Sequence, residues 1–140
     1  MKSFSTVQKI AWFFAVMFLL VVTISHWPGL TDAEGKLLGL FKIDPIDDIF
    51  HLVSGLAAVV AAWHSAKWSI IYFRIVAIPY ALDAFTGLIF SREFLNLDVF
   101  TQGLGSPNFS VPNILVNLPH ILIVIVALWI GFSKRFSSKQ

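Results

Sequence analysis

The sequence predicts an all-α protein in which four helices span a membrane as one bundle. The 140 residues are 57% hydrophobic and only 13% charged, and their mean hydropathy is +0.80. Several apolar stretches reach the roughly 20 residues that a helix needs to cross a bilayer. Basic residues and tryptophans flank these stretches, as is typical of membrane interfaces. A single integral membrane domain over residues 1–140 is the simplest organisation.

The first predicted span, residues 7–26, contains the apolar run IAWFFAVMFLLVVTIS and is preceded by Lys2. A cleaved signal peptide is the alternative interpretation, because basic residues precede its apolar core and small residues such as Thr23 and Ser25 follow. The next residues, HWPGL, are a poor cleavage context. A retained first helix is therefore the favoured interpretation.

The other predicted spans are residues 47–63, 68–90 and 112–132. Only HSAK separates the second span from the third, which predicts an antiparallel helical hairpin. Pro79 lies inside the third span, where its missing N–H and its ring predict a kink.

Two long loops make the remaining connections. In the first loop, Thr31 and Glu34 match a capping box, which predicts that a turn of helix begins there. The second loop contains TQGLGSPNFSVPN, whose glycine and proline residues predict irregular structure.

The charge distribution predicts the orientation in the membrane. Basic residues near the termini and the short turn are Lys2, Lys9, Lys67, Lys134, Arg135 and Lys139. The long loops instead contain most of the acidic residues. Because basic residues concentrate on the cytoplasmic side, both termini are expected in the cytoplasm and both long loops outside.

The composition and motifs exclude several functional classes. Without cysteine, the chain has no disulfide, thiolate nucleophile or cysteine metal site. The pI near 9.1 comes from basic residues beside the apolar spans, so nucleic acid is not an expected partner. No P-loop, dinucleotide fingerprint, metalloprotease helix or serine-nucleophile motif occurs. The expected partners are the lipid bilayer and other membrane proteins or a second copy of the chain.

A polar stripe occurs twice, at an offset of 69 residues. Asp44, Asp48 and His51 correspond to Asn113, Asn117 and His120. Steps of four and three residues keep each trio on one helical face. Further inward, Gly55, Ala58 and Ala62 correspond to Val124, Ala127 and Gly131. The pattern suggests an internal duplication of a two-helix unit.

Asp83 is an ionisable residue inside the third span, about 10 Å from its outer end. A charge there costs around 3 kcal/mol on insertion scales, so Asp83 is expected to face the bundle. The expected partners are His51 and His120. Arg74 lies about 180° around the helix and about 13 Å away, so its side chain is expected to reach the inner headgroups instead.

The candidate site is therefore a polar cluster in the outer half of the bundle, formed by Asp48, His51, Asp83, Asn117 and His120. Inward polar side chains hold membrane helices together, which favours a non-enzymatic accessory or interaction component without a cofactor. Clustered ionisable groups inside a membrane also indicate ligand sites. The alternative is a redox or transport component that binds haem, a metal, quinone or protons through His51, His120 and Asp83.

The segment KLLGLFKIDPIDDIFHLVSGLAAVVAAW, residues 36–63, resembles the bacterial four-helix membrane proteins grouped as domain of unknown function 4383. The matching residues are Leu37, Leu38, Gly39, Asp48, His51, Leu52 and Gly55, followed before the last span by Asn113, Asn117 and His120. The sequence departs from the pattern at Pro119 and Val124. The resemblance implies a multi-pass protein of the bacterial cytoplasmic membrane and implies no activity.

Overall fold

A computed structural model describes residues 3–137, so Lys2 and Lys139 lie outside the described residues. Within that range, four helices are long and apolar enough to cross a membrane. The helices are α1 (Thr6–Ser25), α2 (Pro45–His64), α3 (Ala66–Phe90), α4 (Asp98–Gln102), α5 (Val111–Phe132) and α6 (Lys134–Ser137), and the strands are β1 (Lys36–Leu37) and β2 (Phe41–Lys42). The four predicted spans are confirmed as helices, and their predicted ends differ from the observed ends by at most two residues.

The long helices begin at polar capping residues. Ser5 and Gln8 form a capping box at α1, in which each side chain bonds the other's backbone N–H. Asp44 caps α2 by accepting from two backbone N–H groups of its first turn. Ser65 is the only residue between α2 and α3, and its hydroxyl accepts from the N–H of Trp68. The predicted hairpin is therefore joined by a very tight turn.

The helices pack as two closely associated pairs. α1 packs chiefly against α2 and α3 chiefly against α5, and the α2–α3 contact joins the pairs. Phe18, Phe73 and Tyr80 are fully buried where the helices meet. Asn117 on α5 lies so close to Gly87 on α3 that a Cβ at residue 87 would overlap its carboxamide.

Both long connections lie at the same end of the bundle. Asp83, near the end of α3, accepts hydrogen bonds from the second connection, while the first connection lines a cavity that also includes Glu93. The opposite end contains the Ser65 turn. We call these the cavity end and the turn end.

The first connection differs from its sequence-based prediction, whereas the second is irregular over residues 103–110, as predicted. The helical turn predicted at Thr31 and Glu34 is wrong: Thr31 instead pairs with Leu37 in an isolated β-bridge beside the β1–β2 hairpin. Asp32 organises this segment instead, since its Oδ1 accepts from the backbone N–H groups of Glu34 and Lys36. The second connection contains the short helix α4 within otherwise irregular chain.

Candidate ligand-binding site

Asp83 links α5 to the second connection at the cavity end. Its carboxylate is fully buried, and Oδ2 lies 2.5 Å from Nδ1 of His120. Its other oxygen, Oδ1, accepts from the backbone N–H groups of Phe94 and Leu95, each at 2.8 Å. The expected contact between Asp83 and His120 is therefore present, and the carboxylate also fixes the chain that follows α3.

Asp47 and His51 form a second carboxylate–imidazole pair, one turn apart on α2. Oδ2 of Asp47 lies 3.3 Å from Nδ1 of His51. Neither that nitrogen nor Oδ1 of Asp47 has a hydrogen-bond partner among the described residues, although both atoms are buried. Nδ1 of His51 therefore lies near a carboxylate oxygen without hydrogen-bond geometry, and Oδ1 of Asp47 has no described partner, which is uncommon for buried polar groups in a folded protein.

Asp48, which sequence reasoning grouped with His51, points elsewhere. Its Oδ2 lies 2.8 Å from Nε2 of His26, at the end of α1. A step of one residue turns a helical side chain by about 100°, so Asp48 faces α1 while Asp47 faces the bundle axis. Asp47 was therefore the carboxylate that sequence reasoning missed, and its four-residue spacing from His51 was the available signal.

Asn117 does not join the imidazoles. Its Nδ2 donates to the backbone and side-chain oxygens of Asn113, and its carboxamide rests against Gly87. Asn113 in turn donates to backbone carbonyls of α3, including that of Gly87. These two residues connect α5 to α3, which is the helix-joining role expected of inward polar side chains.

The two histidines approach each other at the centre of this end. Their ring centroids are 5.7 Å apart, and the Tyr80 ring lies 6.0 Å from His51 and 5.7 Å from His120. Phe18 packs on His51 at 5.5 Å. Phe18 and Tyr80 thus pack around the two imidazoles and fix their positions.

Asp47, His51 and His120 each offer one potential ligand atom, and these atoms all lie within 4.8 Å of one another. Tetrahedral ligands with bonds of about 2.0–2.2 Å are roughly 3.3–3.6 Å apart, which matches the spacing between Asp47 and His51. Because Asp83 contacts Nδ1 of His120, Nε2 is the nitrogen left for a ligand. Asp47 is therefore the carboxylate that could bind an ion directly, whereas Asp83 contacts the far nitrogen of His120.

A cavity of about 320 Å³ adjoins the trio. Its polar lining includes Asp47, His51, His120 and Glu93. Burial raises the pKa of Glu93, and the nearby negative charge of Asp83 raises it further. Glu93 was also missed from the sequence, because only the folding of the second connection over the bundle brings it to the cavity.

The comparisons with known proteins identify a family. A family model described as "Domain of unknown function (DUF4383)" matches residues 8–104, which include Asp47, His51 and Asp83 but end before His120. No curated protein and no solved structure matches the chain. Four of the described helices are long and apolar enough to cross a membrane. Since the match spans more than half of the sequence, the chain belongs to the DUF4383 family.

Proposed function

We propose that this protein binds one divalent transition-metal ion through Asp47, His51 and His120. The observation that supports it most is the convergence of three ligand atoms within 4.8 Å. Imidazole and carboxylate groups suit zinc, iron and other first-row divalent ions. Three protein ligands leave a coordination position open, as in ligand-accessible metal sites.

The hydrogen bonding separates this proposal from a purely structural polar core. Residues that only hold helices together pair their polar atoms, as Asn113 and Asn117 do. At Asp47 and His51 the pairing is incomplete: Nδ1 of His51 lies 3.3 Å from Oδ2 of Asp47 without hydrogen-bond geometry, and Oδ1 of Asp47 is buried without a partner among the described residues. Leaving a buried polar group unpaired costs about 1–3 kcal/mol, and a bound ion offsets that cost.

Asp83 supports the metal ligand rather than acting as one. A histidine that binds a metal usually donates its other N–H to a carboxylate, which fixes the tautomer and the ring orientation. Asp83 and His120 have this relationship. The metal ligand set expected from sequence, His51, His120 and Asp83, is accordingly replaced by one that contains Asp47.

The proposed cellular setting follows from the charge distribution. In a bacterial cytoplasmic membrane with both termini in the cytoplasm, the cavity end faces outward, and the ion is taken from the external side. The protein then serves as a metal-binding component alongside other membrane proteins, with no chemical step assigned to it.

An internal duplication, which we infer from the repeated polar stripe, fits this proposal. Ala62 and Gly131 are equivalent at the offset of 69 residues, and each carbonyl accepts from a side chain of the preceding long helix. The donors are Gln8 to Ala62 at 2.8 Å and Arg74 to Gly131 at 2.6 Å. His51 and His120 are then equivalent histidines, one contributed by each half of the molecule.

Metal titration of the purified protein tests the proposal. We expect one equivalent of Zn²⁺ per chain, measured by elemental analysis after dialysis, and loss of that equivalent in Asp47→Ala and His51→Ala. Asp48→Ala is the matched control, because Asp48 is adjacent in sequence but pairs with His26. Equal zinc content in all variants, or no zinc in the unmodified protein, would reject the site.

A further inference from the structure

We infer that the cavity beside the metal ligands binds a neutral, single-chain membrane amphiphile, whose oxygen-bearing head occupies the open coordination position. This inference rests on the proposed metal site and names the ligand that the ion would receive. The ligand chemistry is a carbonyl or hydroxyl oxygen on an alkyl or isoprenyl chain. A membrane quinone and a fatty alcohol both have it.

The cavity lining has a polar and an apolar part. The metal ligands belong to the polar part, which also includes Lys42, Asp44 and Glu93. The apolar part, which we call the apolar body, comes from α1, the β1–β2 hairpin and α5: Met17, Val21, Leu37, Phe41, Val116 and Ile123. An ion alone uses only the polar part. About 320 Å³ reaches the range of roughly 300–1,000 Å³ that small-molecule pockets occupy, so the cavity has room for a chain beside the ion.

The helix packing gives a chain a way in from the bilayer. α1 and α5 both line the cavity, for example through Val21 and Val116, but α1 packs mainly on α2 and α5 mainly on α3. The two helices are therefore not closely packed on each other along the cavity. The β1–β2 hairpin covers the cavity end, where Leu37 is buried. An alkyl chain can thus enter sideways from lipid, while the hairpin separates its head from water.

The charges around the site favour a neutral head. The two positive charges of a divalent ion are offset by Asp47, which binds it, and by Asp83, which lies behind His120. Asp48 already pairs with His26. Lys42, Asp44 and Glu93 also line the cavity, so its remaining charged lining contains more acidic than basic groups, and an anionic head would meet like charge. A fatty-acid carboxylate is therefore the disfavoured occupant.

The test uses Co²⁺-loaded protein in lipid nanodiscs, because the visible spectrum of Co²⁺ reports a change in its ligands. Decylubiquinone, dodecanol and laurate are titrated separately. We expect at least one of the two neutral probes, decylubiquinone and dodecanol, to change the spectrum. The probe that does so indicates whether the natural ligand is a quinone or a fatty alcohol. Laurate is expected to bind about tenfold more weakly or not at all.

Two tryptophan variants provide the structural control. Val21→Trp fills the apolar body without touching a metal ligand, and should reduce probe affinity by about tenfold or more while Co²⁺ binding remains. Leu20→Trp adds the same side chain at a neighbouring exposed position and should leave probe affinity and Co²⁺ binding unchanged.

The outcomes separate the two proposals. If Co²⁺ binds but neither neutral probe changes its spectrum, or if Val21→Trp binds the probe as the unmodified protein does, the amphiphile inference is wrong and the metal site stands. Tighter binding of laurate than of the neutral probes also overturns the inference. If Co²⁺ itself does not bind, both proposals are rejected.

Discussion

Replacing Asp83 with leucine is expected to reduce the free energy of unfolding by about 2–5 kcal/mol. The substitution leaves the buried N–H groups of Phe94 and Leu95 without their acceptor. It also removes the carboxylate beside Nδ1 of His120. Metal affinity should fall by about 10–100-fold, since such supporting carboxylates contribute on that scale. Denaturant unfolding in detergent micelles and zinc titration measure the two effects.

Asp83→Asn separates the effect on folding from the effect on the metal site. Its carbonyl oxygen can still accept from the second connection, so most of the stability should remain. Its amide group, however, would donate to Nδ1 of His120 and move the imidazole proton to Nε2, the nitrogen that the metal needs. The expected result is near-normal unfolding with weakened zinc binding. If Asp83→Leu changed neither the free energy of unfolding nor the zinc affinity, the Asp83 carboxylate would neither hold the second connection nor support His120 as a metal ligand.

The orientation of the protein in the membrane is the second prediction with a large expected effect. Labelling of single cysteines at the two ends of the bundle should give an all-or-none result. The chain has no cysteine, so single cysteines can be introduced without further changes. Leu104→Cys lies in the second connection at the cavity end, and His64→Cys lies at the turn end; both side chains are exposed. We expect a membrane-impermeant maleimide to label Leu104→Cys in intact spheroplasts, and to label His64→Cys only after the membrane is disrupted.

The reverse labelling pattern would place the cavity end in the cytoplasm. It would contradict the orientation inferred from the basic residues near the termini and the turn. Labelling of both positions in intact spheroplasts would contradict the proposed separation of the two ends by the bilayer. Leu104 does not line the cavity, so its substitution leaves the proposed metal site intact and zinc content serves as a check on folding.

The helices were predictable because hydropathy and length are local properties. A run of about 20 apolar residues has few alternatives to a membrane helix, since every backbone polar group must be satisfied in lipid. The burial of Asp83 followed from the same physics, because a carboxylate at that depth must face protein. Its contact with His120 then required only that the two residues lie at similar depth on neighbouring helices.

The finer features depended on contacts between distant residues. The choice between Asp47 and Asp48 depends on how α2 is rotated in the bundle, and the rotation follows from packing rather than from spacing. The capping-box pattern at Thr31 and Glu34 was locally valid, but hydrogen bonds to Asp32 and the pairing of β1 with β2 prevailed. Glu93 lines the cavity from the second connection, next to the backbone that Asp83 binds, and no local pattern in the sequence indicates this placement.

X-ray absorption spectroscopy of the zinc-loaded protein reports the atoms bound to the ion and therefore tests the proposed ligand set. We expect two imidazole nitrogens and one carboxylate oxygen at about 2.0–2.2 Å. We also expect the loss of one imidazole contribution in His51→Ala and no loss in His26→Ala. A zinc spectrum without imidazole scattering, or one that His51→Ala does not change, would contradict the claim that Asp47, His51 and His120 bind one metal ion.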